Sequence, residues 1–138
     1  MKKSICLFTI LFFVFSYFLS AQENSVKPAA SPTSLGMVIY SNDVETVWNA
    51  FRLANHSKNQ GDTVQVFLLA KGVEVDNLVN ENKDLKEQVE AFLENGGKIQ
   101  GCGTCLKSRK NDEPQVCTFS SLADLYGLIR KNKIVLTF

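Results

Sequence analysis

Short apolar runs alternate with amphipathic segments along the chain, and this alternation predicts the secondary structure. The runs lie at residues 35–40, 64–70, 98–101, 117–119 and 133–138. They are rich in strand-forming residues and are too short for buried helices. The second run (VQVFLLA) is almost continuously apolar, which is typical of a strand covered on both faces of its sheet. The pattern therefore predicts five strands, of which the one at residues 117–119 is very short.

Helical spacing of apolar residues separates these strands. It predicts helices at about residues 44–59, 85–93 and 122–129, each beginning after cap-forming polar residues or ending at glycine. Residues 71–76 are predicted as a loop, and a small turn is predicted at residues 78–79. Strands and helices that alternate with short links indicate an α/β fold with a mainly parallel, helix-covered sheet.

Parallel sheets of this kind bind ligands outside the carboxyl ends of their strands. Loops at residues 41–43, 71–73 and 102–105 follow the first three strands, so we expect them to converge there. The candidate pocket residues from the first two loops are Asn42, Asp43, Lys71 and Gly72. Asp43 has the simpler alternative of capping the following helix, and residues 71–73 that of an ordinary strand exit.

Residues 1–21 have the layout of a secretory signal peptide. A basic start precedes an almost wholly apolar run at residues 5–19, and cleavage is predicted after Ala21. The run is short for a membrane-spanning helix, although an uncleaved anchor is the alternative. Residues 22–34 contain prolines and small residues without an apolar period, which predicts a disordered linker before one domain at residues 35–138. We therefore expect an exported protein, periplasmic or secreted, without membrane association after cleavage.

The charge balance argues against a nucleic-acid partner. Without Lys2 and Lys3 of the predicted signal peptide, 13 of the 15 Lys and Arg residues stand against 14 Asp and Glu. A nucleic acid or an anionic membrane would call for a clustered basic surface. The most basic segment, residues 107–110, is short and is followed by acidic residues, so it is interpreted as a solvated turn.

The reactive chemistry of the chain is concentrated in Cys102 and Cys105, three positions apart at the end of a predicted strand. Exposed backbone N–H groups at such a position favour a thiolate over a thiol. Gly103 is expected to permit a tight turn, Thr104 to donate a hydroxyl hydrogen bond to either sulfur, and Arg109 to lower a thiol pKa by its charge. A sulfur nucleophile or a persulfide carrier requires such a lowered pKa.

Other interpretations of this pair stay open. An inert structural disulfide would suit an exported protein. A thiol–disulfide exchanger would use both cysteines, but the sequence lacks the Trp before the pair and the later cis-Pro signature of thioredoxin-type enzymes. A zinc site would need further ligands, and Cys117 supplies only a third, so no metal or other cofactor is expected. Cys117 is either a relay or resolving thiol or a small buried core residue.

Four segments of the chain resemble the DsrE/DsrF-like family. They are residues 40–43 (YSND), 66–73 (VFLLAKGV), 97–106 (GKIQGCGTCL) and 119–126 (FSSLADLY), so the likeness covers nearly all of residues 35–138. The resemblance implies a three-layer α/β/α fold around a parallel sheet, often assembled into dimers, trimers or hexamers. It also implies sulfur oxidation or sulfur relay, in which a cysteine in the loop matching residues 102–105 carries a persulfide.

Carried onto this chain, the resemblance implies a sulfurtransferase-like carrier that uses Cys102 or Cys105. Cys102 is the first choice because it leaves the strand end. Arg109 matches an Arg that often follows the cysteine pair in relatives, whereas Lys110 stands where relatives often have Gly. Export argues against cytosolic tRNA thiolation and favours extracytoplasmic sulfur compounds. We expect a homo-oligomer with sulfur donor and acceptor proteins or small sulfur compounds as partners; the alternative is a non-catalytic exported binding or assembly module with a structural Cys102–Cys105 disulfide.

Overall fold

The structure is a computed structural model in which residues 31–138 are described. These residues form a five-stranded sheet in which every pair of neighbouring strands is parallel. The predicted signal peptide, and the predicted linker as far as residue 30, lie outside the described residues. Between residues 31 and 138, no helix combines the length and apolarity needed to cross a membrane.

Strands and helices alternate along the whole of this region. The strands are β1 (Ser34–Ile39), β2 (Thr63–Leu68), β3 (Lys98–Cys102), β4 (Thr118–Ser120) and β5 (Ile134–Thr137). The helices are α1 (Val44–Asn59), α2 (Val75–Glu81), α3 (Lys83–Glu94), α4 (Gly103–Ser108) and α5 (Leu122–Lys131), and a 3₁₀ helix spans Ala70–Glu74. The sheet order is β4-β3-β2-β1-β5, so the predicted α/β class with a five-stranded parallel sheet is confirmed.

Helices cover both faces of the sheet and make three layers. On one face α1 and α3 pack on the strands, and the rings of Phe51 and Phe92 meet edge to face with centroids 5.9 Å apart. On the other face α5 places Leu125 and Leu128 against Val38 and Phe67. Burying each such apolar side chain stabilises the fold by about 2 kcal/mol, which explains why these faces are apolar.

The structure differs from the sequence-based expectation in two segments. Strand β1 begins at Ser34, the last residue of the predicted linker. Beside it Thr33 donates its N–H to Asp62 Oδ1 at 2.8 Å and accepts the Thr63 N–H at 2.9 Å. Residues 71–76 and 78–79, expected to be a loop and a small turn, instead lie in the 3₁₀ helix and α2, and Ala70, expected to end the second strand, begins the 3₁₀ helix. Each of these helices is too short for an apolar period to identify it.

Candidate functional site

Cys102 and Cys105 lie at the carboxyl end of β3, where this strand passes directly into α4. Cys102 is the last residue of β3 and the N-cap of α4, and its Sγ accepts the backbone N–H of Cys105 at 3.4 Å. Both side chains are half-buried, and both thiols are free. One short helical turn therefore holds two free sulfur atoms at the edge of the sheet predicted to carry the site.

The surroundings of the Cys105 thiol oppose its ionisation. Burial raises the pKa of Cys105, and a hydrogen bond with the Cys102 side chain raises it further. The backbone N–H of Ala70 and the charge of Arg109 lower the pKa of Cys105 without offsetting this increase. The expectation of a lowered thiol pKa is therefore wrong for Cys105, because desolvation outweighs the nearby positive charge.

Ala70 follows β2, and its backbone lies near the Cys105 thiol. It begins the 3₁₀ helix with φ of 51°, in the left-handed region that non-glycine residues rarely adopt. The nearby backbone N–H of Ala70 acts to lower the pKa of Cys105. A residue held in such a conformation costs on the order of 1 kcal/mol or more and is often found at functional sites.

Glu74 is a site residue that the sequence analysis missed. Its Oε1 accepts the Nε–H of Arg109 at 2.7 Å, and its Oε2 accepts the Nδ2–H of Asn42 at 2.8 Å. Hydrogen bonds from Arg109 and Asn42 hold the pKa of Glu74 below its usual value. No motif marks this glutamate, since its partners are 32 and 35 residues away in sequence.

Glu74 with its two hydrogen-bond partners forms a bridge, here called the Glu74 bridge, and three predicted pocket residues belong to it or lie close to it. Asn42 and Arg109 bind Glu74 directly, and the charge of the exposed Lys71 also acts on the Glu74 carboxylate. Gly72 packs against the backbone of β1, where a Cβ atom would lie 2.0 Å from the carbonyl oxygen of Ile39. The carboxyl ends of β1, β2 and β3 thus contribute neighbouring residues, as expected for a parallel sheet.

Other predicted site residues have different surroundings. Asp43 caps α1 through the Thr46 N–H at 2.8 Å and the Thr46 hydroxyl at 2.7 Å, and these bonds lower the pKa of Asp43. Thr104 is exposed, and within residues 31–138 its hydroxyl bonds to neither sulfur. Gly103 is the first residue of α4, and a Cβ there would lie 3.2 Å from the Phe119 ring. Its small size therefore accommodates Phe119.

Cys117 lies in the hydrophobic core, only 8% exposed. Burial and the nearby carboxylate of Asp76 raise the pKa of Cys117 to about 12. A thiol with this pKa stays protonated at neutral pH and is a poor nucleophile. Its surroundings therefore favour the buried-core interpretation of Cys117 over that of a relay thiol.

Asp76 organises the segment that joins α4 to β4. This buried carboxylate accepts the side-chain amide of Asn111 at 2.8 Å and the backbone N–H groups of Gln115 and Val116 at 3.0 and 2.9 Å. Three donors compensate the cost of burying its charge. Because α2 carries Asp76, this unpredicted helix anchors the chain that follows the cysteine turn.

The described part of the chain contains no cluster of side chains suited to bind a metal ion. Across residues 31–138, no group of three or more His, Cys, Asp or Glu side chains is placed to hold a metal ion. The chemical groups at the carboxyl ends of the strands are thus the cysteine pair, the Glu74 bridge and the Ala70 N–H. Together they suit thiol chemistry in which one sulfur attacks and the other holds a proton.

Comparisons with known proteins agree with this fold. A search of curated proteins finds no match, but the profile of the DsrE/DsrF-like family matches residues 35–138. The ychN protein from E. coli superposes with a TM-score of 0.65 at 18% identity, covering 78% of this chain and 99% of its own. The conserved protein of unknown function BT1422 from Bacteroides thetaiotaomicron superposes with a TM-score of 0.64 at 18% identity, and the match covers 77% of this chain and 95% of that chain. At these identities the two structures show a shared fold, and the profile match over residues 35–138 shows that the chain belongs to the DsrE/DsrF-like family.

Proposed function

We propose that this protein carries sulfane sulfur as a persulfide on Cys102, with the adjacent Cys105 donating a hydrogen bond to its sulfur. Family membership supports a sulfur-relay role in general. The observation that carries the assignment of roles is the hydrogen bond from the Cys105 backbone N–H to the Cys102 Sγ at 3.4 Å, a donor that stabilises negative charge on this sulfur. The raised pKa of Cys105 disfavours Cys105 as the attacking thiolate.

The proposed loading step is a thiol exchange with a donor persulfide, R–S–SH. The Cys102 thiolate attacks the outer sulfur, so a new S–S bond forms at Cys102 as the donor S–S bond breaks. The donor leaves as the thiolate R–S⁻, and the proton of the transferred S–H stays with the new persulfide. No net oxidation occurs, and the step requires no cofactor.

Peptide-resolved mass spectrometry tests this proposal directly. The reduced full-length protein is incubated with polysulfide, thiosulfate or a loaded sulfurtransferase, and each cysteine peptide is then analysed. We expect one added sulfur atom on Cys102. The proposal fails if no cysteine gains sulfur, and a Cys102–Cys105 disulfide that resists mild reductants would favour the structural-bridge alternative.

Export is the second part of the proposal, and it rests on the sequence of residues 1–21. Transfer across a membrane would bring the cysteine pair to extracytoplasmic sulfur compounds and to donor and acceptor proteins there. Protein recovered from the producing cells is expected to begin at Gln22, because cleavage is predicted after Ala21. N-terminal sequencing of the native protein checks this, and an intact Met1 in all recovered protein would contradict it.

We further propose that a second copy of the chain covers the outer face of α5. Leu122, Tyr126 and Ile129 lie on this face, at spacings of four and three, and are 78%, 63% and 47% exposed. Apolar patches of this kind commonly mark interaction sites. Assembly into oligomers is also what the family resemblance implies, and self-association would remove the patch from water.

Sedimentation or light scattering measures this assembly. The wild-type protein is expected to exceed the monomer mass, and the double variant Leu122→Ser/Tyr126→Ser is expected to be mainly monomeric. Lys131→Ser on the same helix is the matched control and should retain the wild-type mass. A monomeric wild-type protein at micromolar concentration would contradict the proposal.

A further inference from the structure

Glu74 is the centre of a bridge that ties three chain segments together beside the cysteine turn. One carboxylate oxygen accepts the Arg109 Nε–H at 2.7 Å, and the other accepts the Asn42 amide at 2.8 Å. The Glu74 and Arg109 side chains are only 30% and 31% exposed, so solvent screens this ion pair incompletely. The bridge joins the loop after β1, the 3₁₀ helix and the end of α4.

Arg109 extends from this bridge to the cysteine turn itself. Its Nη1 donates to the Cys105 carbonyl oxygen at 3.2 Å and to the Ser108 hydroxyl at 3.3 Å. The guanidinium therefore has a carboxylate on one side and the cysteine turn on the other. A fixed positive charge favours a nearby thiolate, and a carboxylate bound to that cation weakens this effect.

We propose that Glu74 is a positioning residue of the cysteine site, which holds Arg109 against the turn and limits how strongly the positive charge of the guanidinium acts on the sulfur atoms of that turn. The inference rests on the proposed use of the pair as a thiol nucleophile. Glu74 thus has two separable actions, one geometric and one electrostatic. A Gln side chain at this position keeps an acceptor oxygen for Arg109, while it removes the charge and the second oxygen that accepts from Asn42.

The titratable neighbours of the pair support this electrostatic role. Cys102 and Arg109 act on the Cys105 thiol, and Arg109 and Lys71 act on the Glu74 carboxylate. The Arg109 charge lowers the pKa of Cys105, although burial and Cys102 raise it more. Removing the negative partner of Arg109 should therefore favour the thiolate, and removing Arg109 should disfavour it.

Alkylation kinetics of the reduced full-length chain test this inference. Iodoacetamide is reacted over a pH series, and fragmentation mass spectrometry follows Cys102 and Cys105 separately. At neutral pH we expect the faster-reacting thiol of the pair to react about threefold faster in Glu74→Gln and about threefold slower in Arg109→Gln than in wild type. The pH midpoint of the profile should fall in the first variant and rise in the second. The matched control Glu90→Gln, which alters the exposed Lys86–Glu90 pair on α3, should leave the profile unchanged.

The direction of the two shifts decides the outcome. A purely structural ion pair would move both variants in the same direction, because each change removes the same charge–charge attraction, and this result would overturn the inference. Unchanged profiles in both variants would also overturn it. Because alkylation does not require sulfur loading, opposite shifts in a protein that never gains sulfur would leave the inference standing and reject the proposed function. Sulfur loading together with shifts of both pH profiles in the same direction would support the proposed function and overturn the inference.

Discussion

Replacing Cys102 by serine is expected to abolish sulfur loading, with a loss of rate on the order of a hundredfold or more. A serine hydroxyl remains protonated at neutral pH and forms no persulfide. Neither of the other two cysteines within the described residues is suited to replace Cys102 as the sulfur carrier. Cys105 has a raised pKa, and the core residue Cys117 has a pKa of about 12. Single-turnover loading followed by peptide mass spectrometry measures this loss.

The Cys105→Ser variant is the informative comparison. Cys105 donates a hydrogen bond in the proposed reaction, and serine keeps the backbone N–H and adds a hydroxyl donor, so loading is expected to fall only about tenfold. The Cys117→Ala variant is the control for a buried thiol and should load at the wild-type rate. Equal and complete loss in both Cys102→Ser and Cys105→Ser would instead indicate thiol–disulfide exchange, which needs both sulfurs. Added sulfur on Cys105 in the Cys102→Ser variant would reverse the assigned roles.

Gly72→Ala is expected to lower the free energy of unfolding by about 3 kcal/mol. The added Cβ would lie 2.0 Å from the carbonyl oxygen and 2.8 Å from the carbonyl carbon of Ile39. These are backbone atoms of β1, an interior strand of the sheet, and this carbonyl also accepts the Leu69 N–H at 2.8 Å. No side-chain rotation can relieve such a contact, so the 3₁₀ helix or the strand must shift.

Chemical denaturation of the reduced protein measures the effect of Gly72→Ala on stability. Gly127→Ala is the matched control, because Gly127 is inside α5 and a Cβ there meets nothing within 4 Å. The control is expected to leave stability unchanged or to increase it by about 0.5–1 kcal/mol, since alanine favours a helix over glycine. A shifted 3₁₀ helix would also displace Ala70 and Glu74, so sulfur loading should fall as well. A Gly72→Ala variant as stable as wild type would contradict this account of the close approach.

The cysteine site shows which parts of a site are visible in a sequence. Placement of Cys102 at a strand end followed from an apolar run that stops at a glycine and a cysteine, which is a local pattern. The same local reasoning expected help from Thr104 and a lowered thiol pKa. The structure leaves Thr104 exposed and raises the pKa of Cys105, because the pKa depends on burial by residues distant in sequence.

The loop and turn predicted at residues 71–79 show a second limit. This region forms a 3₁₀ helix and the seven-residue α2, neither long enough to display a helical period. These short helices carry Glu74 and Asp76, whose partners come from the loop after β1 and from the segment after α4. Only the packed sheet brings those segments together, so local pattern could not identify either carboxylate.

The sequence by itself determined the five strands, the three long helices, the parallel α/β class and the position of the cysteine pair at a strand end. Each of these follows from apolar spacing over a few residues, which is a local property. Only the tertiary structure decided that Glu74 links Asn42 to Arg109, that burial raises the pKa of Cys105, and that Cys117 is a core residue. The physical reason is that hydrogen-bond partners and desolvation arise from contacts between residues far apart in the chain, which the sheet order creates.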